Sequence, residues 1–148
     1  MSATATAPVF SLDMKRRINA TRDKVFRAWT TVDELKKWWG PEGFSLPEAE
    51  LDLRVGGKYR FAMQEPTGVV HWLTGEFREI ASPAKLVYTW LWEGAPEEAA
   101  TLVTVEFHDA GTATDVVVKH ERFSSEAEGQ SHNEGWTGCL NRLELLFG

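Results

Sequence analysis

Four histidines and one cysteine carry the side chains best suited to acid–base, nucleophilic or metal chemistry near neutral pH. They are His71, His108, His120, His132 and Cys139. No pair of them has the H-x-H or H-x-x-x-H spacing typical of metal ligands, so the sequence predicts neither a metal site nor a cofactor. There is no G-x-S-x-G motif and no nucleophile beside an evident base. Any chemistry would therefore rest on proton transfer by a histidine.

Two of the histidines lie on apolar faces of predicted strands. Alternation places His120 on the same face as Val116 and Val118, and His71 on the same face as Leu73. A histidine in such a position is usually a hydrogen-bonded core residue. Alternatively, it anchors a ligand or acts as a general acid or base. The catalytic residues stay unknown, with His120 as the first candidate and His71 as the second.

Aromatic residues form a second candidate site. The chain has seven tryptophans and eight phenylalanines, and in KYRFAMQ and KLVYTWLW the aromatic residues alternate onto one face. If both faces point toward a covering helix, they enclose either an ordinary core or a pocket for a small molecule. Trp72 is the least secure member of the predicted pocket, since alternation places it opposite His71. The predicted ligand-binding residues are Trp39, Phe61, Met63, Trp72, Trp90, His120 and Trp136.

Two short helices are predicted near the start of the chain. The segment NATRDKVFRAWT begins a helix after Thr21, which can cap its free amide groups. In TVDELKKWWGP, the side chains of Leu35, Trp38 and Trp39 share one helical face. Gly40 suits the left-handed position after a helix, and the proline that follows prevents continuation. The paired tryptophans therefore end a short helix that must pack against a larger surface.

Seven runs with short, turn-like connections predict an antiparallel sheet. A helix follows them, because Ser125 and Glu128 fit a capping box and apolar residues then recur at three-to-four spacing. Gly129 and Gly135 weaken its beginning, so we expect a well-formed helix only from about His132. The predicted strands are residues 9–18, 45–55, 58–64, 69–80, 85–92, 101–109 and 113–123.

Composition limits the class of protein. The chain has 148 residues, 16 basic and 22 acidic, with a net charge of −6, which predicts one domain over residues 9–148 after a flexible tail of residues 1–8. There is no basic stripe for nucleic acid. No apolar run approaches the ~20 residues that span a bilayer, so no membrane insertion is expected. With no secretory signal and one cysteine, we expect a cytoplasmic protein.

Four segments, in order, resemble the SRPBCC (START-like, helix-grip) superfamily, and within it the group related to the activator of the heat-shock protein 90 ATPase. They are NATRDKVFRAWTTVDELKKWWGPEGF, LDLRVGGKYRFAM, GEFREIASPAKLVYTWLW and HNEGWTGCLNRLELL. The resemblance implies an α+β helix-grip fold, in which a curved seven-stranded antiparallel sheet holds a long C-terminal helix and two short helices follow the first strand. It also implies a cavity between the sheet and that helix.

Three functions follow as hypotheses. The first, preferred to an enzyme, is a binding protein whose partner is a small lipophilic or aromatic molecule held in the cavity. The second is an enzyme of the cyclase or dehydratase type, in which His120 or His71 moves a proton. The third is a co-chaperone or protein-interaction module, suggested by the family name, although no residue pattern supports a protein partner.

Overall fold

The computed structural model describes residues 10–148, in which seven strands and three α-helices follow the predicted order of one strand, two short helices, six strands and a long helix. The predicted tail, residues 1–8, lies outside the described residues. The helices are α1 (Arg22–Thr30), α2 (Val32–Trp38) and α3 (Glu126–Leu146). The strands are β1 (Phe10–Ile18), β2 (Ser45–Leu51), β3 (Lys58–Gln64), β4 (Val70–Ala81), β5 (Lys85–Trp92), β6 (Thr101–Ala110) and β7 (Ala113–Phe123).

One antiparallel sheet contains all these strands, in the order β1-β7-β6-β5-β4-β3-β2. Strands β2 to β7 are neighbours in chain order because short turns connect them. The exception is β1, the first strand, which pairs with β7, the last; Met14, for example, lies opposite Val118. The predicted α+β helix-grip architecture is confirmed, with the two short helices after the first strand.

The buried face of the sheet follows the predicted alternation. Opposite residues of paired strands project to the same face, and Met63 pairs with His71 while Phe61 pairs with Leu73. Farther across the sheet, Val103 pairs with His120. Apolar side chains of this face and of all three helices form one buried core. The face that meets α3 therefore carries both the core and the predicted chemistry.

The ends of the short helices differ from the prediction. Thr21 precedes α1, but its side chain makes no capping hydrogen bond; its carbonyl accepts from the Val25 amide at 3.0 Å. Helix α2 ends at Trp38, and Trp39 has an extended backbone instead of continuing the helical face. Gly40 then has φ of +100°, the left-handed conformation that favours glycine. The two adjacent tryptophans consequently point to different surroundings.

Helix α3 begins earlier than predicted. It starts at Glu126 and not near His132, because the Ser125 hydroxyl accepts from the Glu128 amide at 3.1 Å. The Ser124 hydroxyl also donates to the Glu128 carboxylate at 3.0 Å. This capping offsets the low helix propensity of the glycines. The early start adds the six residues 126–131, between one and two turns, to the predicted helix.

Strand β2 is also shorter than predicted, ending at Leu51 instead of residue 55. Residues 52–57 form a turn in which the Arg54 side chain pairs with Asp52 at 2.6 Å. Among the described residues, no helix is long and apolar enough to cross a membrane.

Candidate functional site

A cavity of about 380 Å³ lies between the sheet and α3. The segment after α2 forms one wall and α3 another, with side chains from β3, β4 and β5 between them. Apolar and aromatic side chains dominate the lining, as they do in most small-molecule sites. The lining residues are Trp39, Gly40, Pro41, Phe44, Met63, His71, Trp90, Trp92, Ser131, His132, Gly135, Trp136 and Cys139.

The structure brings part of the predicted ligand-binding set together. Trp39, Met63, Trp90 and Trp136 all line the cavity. The ring centroids of Trp39, Trp90 and Trp136 are 5.7 to 6.0 Å apart in pairs. These rings are close enough to make aromatic contacts with one another. The aromatic residues therefore build both a core and a cavity wall.

Three residues of the predicted set do not line this cavity. Phe61 lies deeper in the core, packed against Trp39 and Tyr59 with ring centroids 5.5 and 4.9 Å apart. Trp72 lies on the opposite face of the sheet, where the Arg60 guanidinium is 3.8 Å from its ring centroid. Neighbours along a strand point to opposite faces, so Trp72 lies on the face opposite that of His71, which lines the cavity. His120, the third, lies behind the tryptophans.

His120 is fully buried and hydrogen-bonded at both ring nitrogens. The Trp136 indole N–H donates to His120 Nδ1 at 3.0 Å, and His120 Nε2 lies 2.7 Å from the Thr101 hydroxyl. An indole can only donate, so Nδ1 must be unprotonated and the proton of the neutral ring must sit on Nε2. The Thr101 hydroxyl oxygen accepts a hydrogen bond from this Nε2–H, and the hydroxyl donates to the Trp90 carbonyl at 3.3 Å. A single chain of hydrogen bonds therefore holds Trp136 and Trp90.

Burial determines the charge of His120. Desolvation, with a smaller contribution from nearby His132, lowers its pKa to about 2. The neutral form is therefore the only one populated near neutral pH. Both ring nitrogens are already engaged, so His120 links the Trp136 side chain, through Thr101, to the Trp90 backbone.

His71, the second candidate, does line the cavity. It lies opposite Met63 in the β3–β4 pair, and its Nε2 contacts the carboxylate of Glu65 in the adjoining turn. Both side chains are partly exposed. A histidine paired with a carboxylate has a fixed orientation and a favoured proton position. This pair is the described feature of the cavity wall best suited to proton transfer.

His132 and Trp92 line the cavity although the sequence analysis did not select them. Trp92 shares the strand face of Trp90, and His132 lies one helical turn before Trp136. Periodicity carries a signal for both residues, because positions two apart in a strand and four apart in a helix share a face. His132 lay at the predicted start of the helix, where its facing was not assigned. The Nδ1–H of His132 donates to the Glu128 carbonyl at 2.9 Å. The other ring nitrogen, Nε2, therefore faces away from that carbonyl.

Cys139 also lines the cavity but is chemically quiet. Burial raises the pKa of its thiol to about 12, so the nucleophilic thiolate is scarcely populated near neutral pH. This agrees with its predicted position in the apolar stripe of α3. No group of three or more histidine, cysteine, aspartate or glutamate side chains in residues 10–148 is arranged to hold a metal ion.

Arg142 holds the segment that forms one cavity wall. Its Nη1 lies 3.0 to 3.3 Å from the carbonyl oxygens of Trp39, Gly40, Pro41 and Phe44. One of them, the Trp39 carbonyl, belongs to the C-cap of α2, where a cation is favoured. The guanidinium therefore joins α3 to the turn that places Trp39 at the cavity.

Comparison with known protein families identifies the family of this chain. Residues 19–148 match the family model described as Activator of Hsp90 ATPase homolog 1-like protein. The chain belongs to this family. The AHSA1 family is of the SRPBCC type, as the resemblance of the four sequence segments predicts.

Solved structures share the AHSA1-type fold over nearly the whole chain. A protein from Chromobacterium violaceum has a TM-score of 0.82 at 24% identity, covering 93% of this chain and 96% of that chain. The AHSA1 protein from Silicibacter pomeroyi gives 0.81 at 23%, covering 92% and 96%. A protein from Rhizobium leguminosarum gives 0.80 at 25%, covering 96% of each. The chain has no significant match among curated proteins.

The Trp-Trp-Gly-Pro segment has two separate tasks in this AHSA1 member. Trp38 is fully buried and its indole donates to the Ala28 carbonyl at 3.0 Å, joining α2 to α1. Trp39, Gly40 and Pro41 line the cavity. The change from helical to extended backbone at Trp39 separates these tasks.

Proposed function

We propose that this protein binds a small, largely aromatic or lipophilic molecule in the cavity between the sheet and α3. The observation that carries the proposal is a 380 Å³ cavity walled by Trp39, Trp90, Trp92 and Trp136. Small-molecule pockets usually have volumes of about 300 to 1,000 Å³. An apolar cavity of about 150 Å³ binds benzene, so this larger volume suits a ligand of two or three rings.

Burial of apolar surface supplies the driving force. Each Å² of apolar surface removed from water contributes roughly 25 cal/mol, part of which is offset by the cost of immobilising the ligand. The walls are partly preorganised, since the His120 hydrogen bonds hold Trp136 and the Arg142 hydrogen bonds hold the segment of Trp39. Preorganised walls reduce the ordering cost on binding.

Two tryptophans provide a matched test of the site. Trp92 and Trp72 are both half-buried strand residues, but Trp92 lines the cavity and Trp72 packs on the opposite face. We expect Trp92→Ala to weaken binding of a naphthalene probe at least tenfold and Trp72→Ala to leave it within twofold. Equilibrium dialysis measures both. Equal effects of the two substitutions, or no saturable binding to the wild type, would refute the proposal.

A second function, proton transfer on the bound molecule, is favoured by the pairing of His71 with Glu65 at the cavity wall. A bound ketone with an acidic C–H beside its carbonyl would lose that proton to His71, while Glu65 stabilises the imidazolium. Deuterium exchange into 2-acetylnaphthalene in D₂O, followed by NMR, tests this role. Catalysed exchange that disappears in His71→Asn supports it, and exchange equal to that of buffer argues against it.

A third function, co-chaperone activity, rests on the family description alone. Activation of the ATPase of the heat-shock protein 90 class would require a protein interface on this domain. Stimulation of that ATPase by the purified protein is the corresponding test. No rate increase at saturating protein would remove this candidate.

A further inference from the structure

The buried tryptophan N–H groups divide into two classes. Three indoles have partners: Trp29 donates to the Tyr88 hydroxyl, Trp38 to the Ala28 carbonyl and Trp136 to His120. Those of Trp39 and Trp90 have none. Within residues 10–148, these two indole nitrogens are the buried side-chain nitrogen or oxygen atoms without a hydrogen-bond partner.

Both unpartnered N–H groups belong to residues that line the cavity. Trp39 is 2% exposed and Trp90 is 7% exposed, and both indole nitrogens are themselves buried. A buried donor without an acceptor is unfavourable, because folding removes its hydrogen bonds to water. Neighbouring ring faces are only weak acceptors. The cavity walls therefore contain two buried donors for which the described residues provide no acceptor.

We propose that the ligand of this cavity carries a neutral hydrogen-bond acceptor, such as a ketone or ether oxygen, that takes the indole N–H of Trp39 or Trp90. The inference rests on the proposed binding function and specifies its ligand class. The rings of Trp39 and Trp90 have centroids 6.0 Å apart, so the two donors belong to neighbouring residues of one cavity wall. Because both indole nitrogens are covered by surrounding atoms, one ring must turn for its N–H to reach the ligand.

Charge favours a neutral acceptor over an anion. The described lining residues include no lysine or arginine. The guanidinium of Arg142, which holds the wall segment, is occupied by the backbone carbonyls of residues 39–41 and 44. The Glu65 carboxylate beside His71 would also repel an anion. A carbonyl or ether oxygen satisfies an indole donor without needing a buried counter-charge.

A pair of isosteric probes tests the inference. 2-Acetylnaphthalene and 2-isopropenylnaphthalene have nearly the same shape, but only the first has a carbonyl oxygen. Their dissociation constants for the wild type, measured by equilibrium dialysis, should differ roughly tenfold in favour of the ketone, which is the value of one net hydrogen bond. An amine of similar shape, 2-naphthylmethylammonium, should bind more weakly than either probe.

Single-site replacement then assigns the donor. 3-Benzothienylalanine keeps the shape of tryptophan and replaces its N–H with sulfur. We expect Trp39→3-benzothienylalanine or Trp90→3-benzothienylalanine to reduce the preference for the ketone toward onefold. The control is Trp92→3-benzothienylalanine, since Trp92 lines the cavity without a buried unpartnered N–H; it should keep the preference. Circular dichroism verifies that each variant is folded.

The possible results separate the two proposals. Equal binding of both probes to the wild type would overturn the acceptor inference while leaving the proposed binding function intact. A ketone preference that persists in both the Trp39 and the Trp90 variants would also overturn it, because the acceptor would then be recognised elsewhere. Binding of neither probe would overturn the proposed function and this inference together.

Discussion

The Trp136 indole donates to Nδ1 of His120 at 3.0 Å, joining the long C-terminal helix to the last strand inside the core. Because the indole has no acceptor atom, this one contact fixes the tautomer of the histidine, with its single ring N–H on Nε2 facing Thr101. The position of a cavity wall therefore depends on a residue that does not itself line the cavity.

Replacing His120 should loosen this wall. His120→Leu leaves the Trp136 N–H without an acceptor, so we expect a loss of about 1 to 3 kcal/mol in the free energy of unfolding and weaker binding of a naphthalene probe. His120→Asn is the matched control, because its amide oxygen can replace Nδ1 as the acceptor. Urea denaturation and equilibrium dialysis measure the two effects. Equal stability of wild type and His120→Leu would contradict the assignment.

The stability of the fold should decrease in acid because of His120. Its pKa is about 2 in the folded state and about 6.5 when unfolded, so between these values the unfolded state binds more protons. Stability is therefore complete above about pH 6.5 and decreases as the pH falls below it. From pH 7 to pH 5 the loss attributable to His120 is about 2 kcal/mol.

Comparison of the wild type with His120→Asn isolates this contribution from those of other titrating groups. Urea denaturation of both proteins at pH 5, 6 and 7 should show a steeper decline for the wild type. Parallel pH profiles of the two proteins would mean that His120 does not resist protonation in the folded state.

Gly75 in β4 should not tolerate a side chain. A Cβ atom there would lie 2.0 Å from the Thr89 carbonyl oxygen and 2.6 Å from the Tyr59 hydroxyl oxygen, and that hydroxyl donates to the same carbonyl at 2.5 Å. We expect Gly75→Ala to cost about 1 to 3 kcal/mol or more, because backbone must move.

Gly135→Ala is the control for this substitution. Gly135 is helical, and its added Cβ would meet the Pro41 ring at an ordinary 3.7 Å. Alanine should therefore be neutral or should stabilise the helix by up to about 1 kcal/mol. Thermal denaturation measures both variants, and a neutral Gly75→Ala would show that the close contact is relieved without cost.

Arg142 should control the mobility of the cavity wall at residues 39–44. Arg142→Met removes the donor shared by four carbonyls, so we expect a loss of about 1 to 3 kcal/mol and faster amide exchange in this segment. Arg78→Met is the control, since Arg78 pairs with Glu76 at the surface at 3.5 Å and should change stability little. Hydrogen exchange unchanged at residues 40–44 would contradict this role.

Much of the fold could be predicted from local sequence. Alternation in KLVYTWLW determines that Tyr88, Trp90 and Trp92 share a face, and short turns determine that β2 to β7 are neighbours. The same rule places Trp72 on the face opposite His71, where the structure has it. The predicted helix ends were less accurate, because caps depend on single hydrogen bonds. An example is the bond from the Glu128 amide to the Ser125 hydroxyl, which caps α3 just before its first residue, Glu126.

The sequence by itself determined which side chains share a face, that His120 lies on an apolar strand face and that Cys139 belongs to an apolar stripe. Only the tertiary structure decided which of those residues meet across the core. The pairing of Trp136 with His120, the hold of Arg142 on the turn after α2, and the position of His132 at the cavity each join residues distant in the chain. Periodicity describes one element at a time, whereas a cavity is the volume left when several elements pack, so its lining and its unpartnered donors appear only in three dimensions.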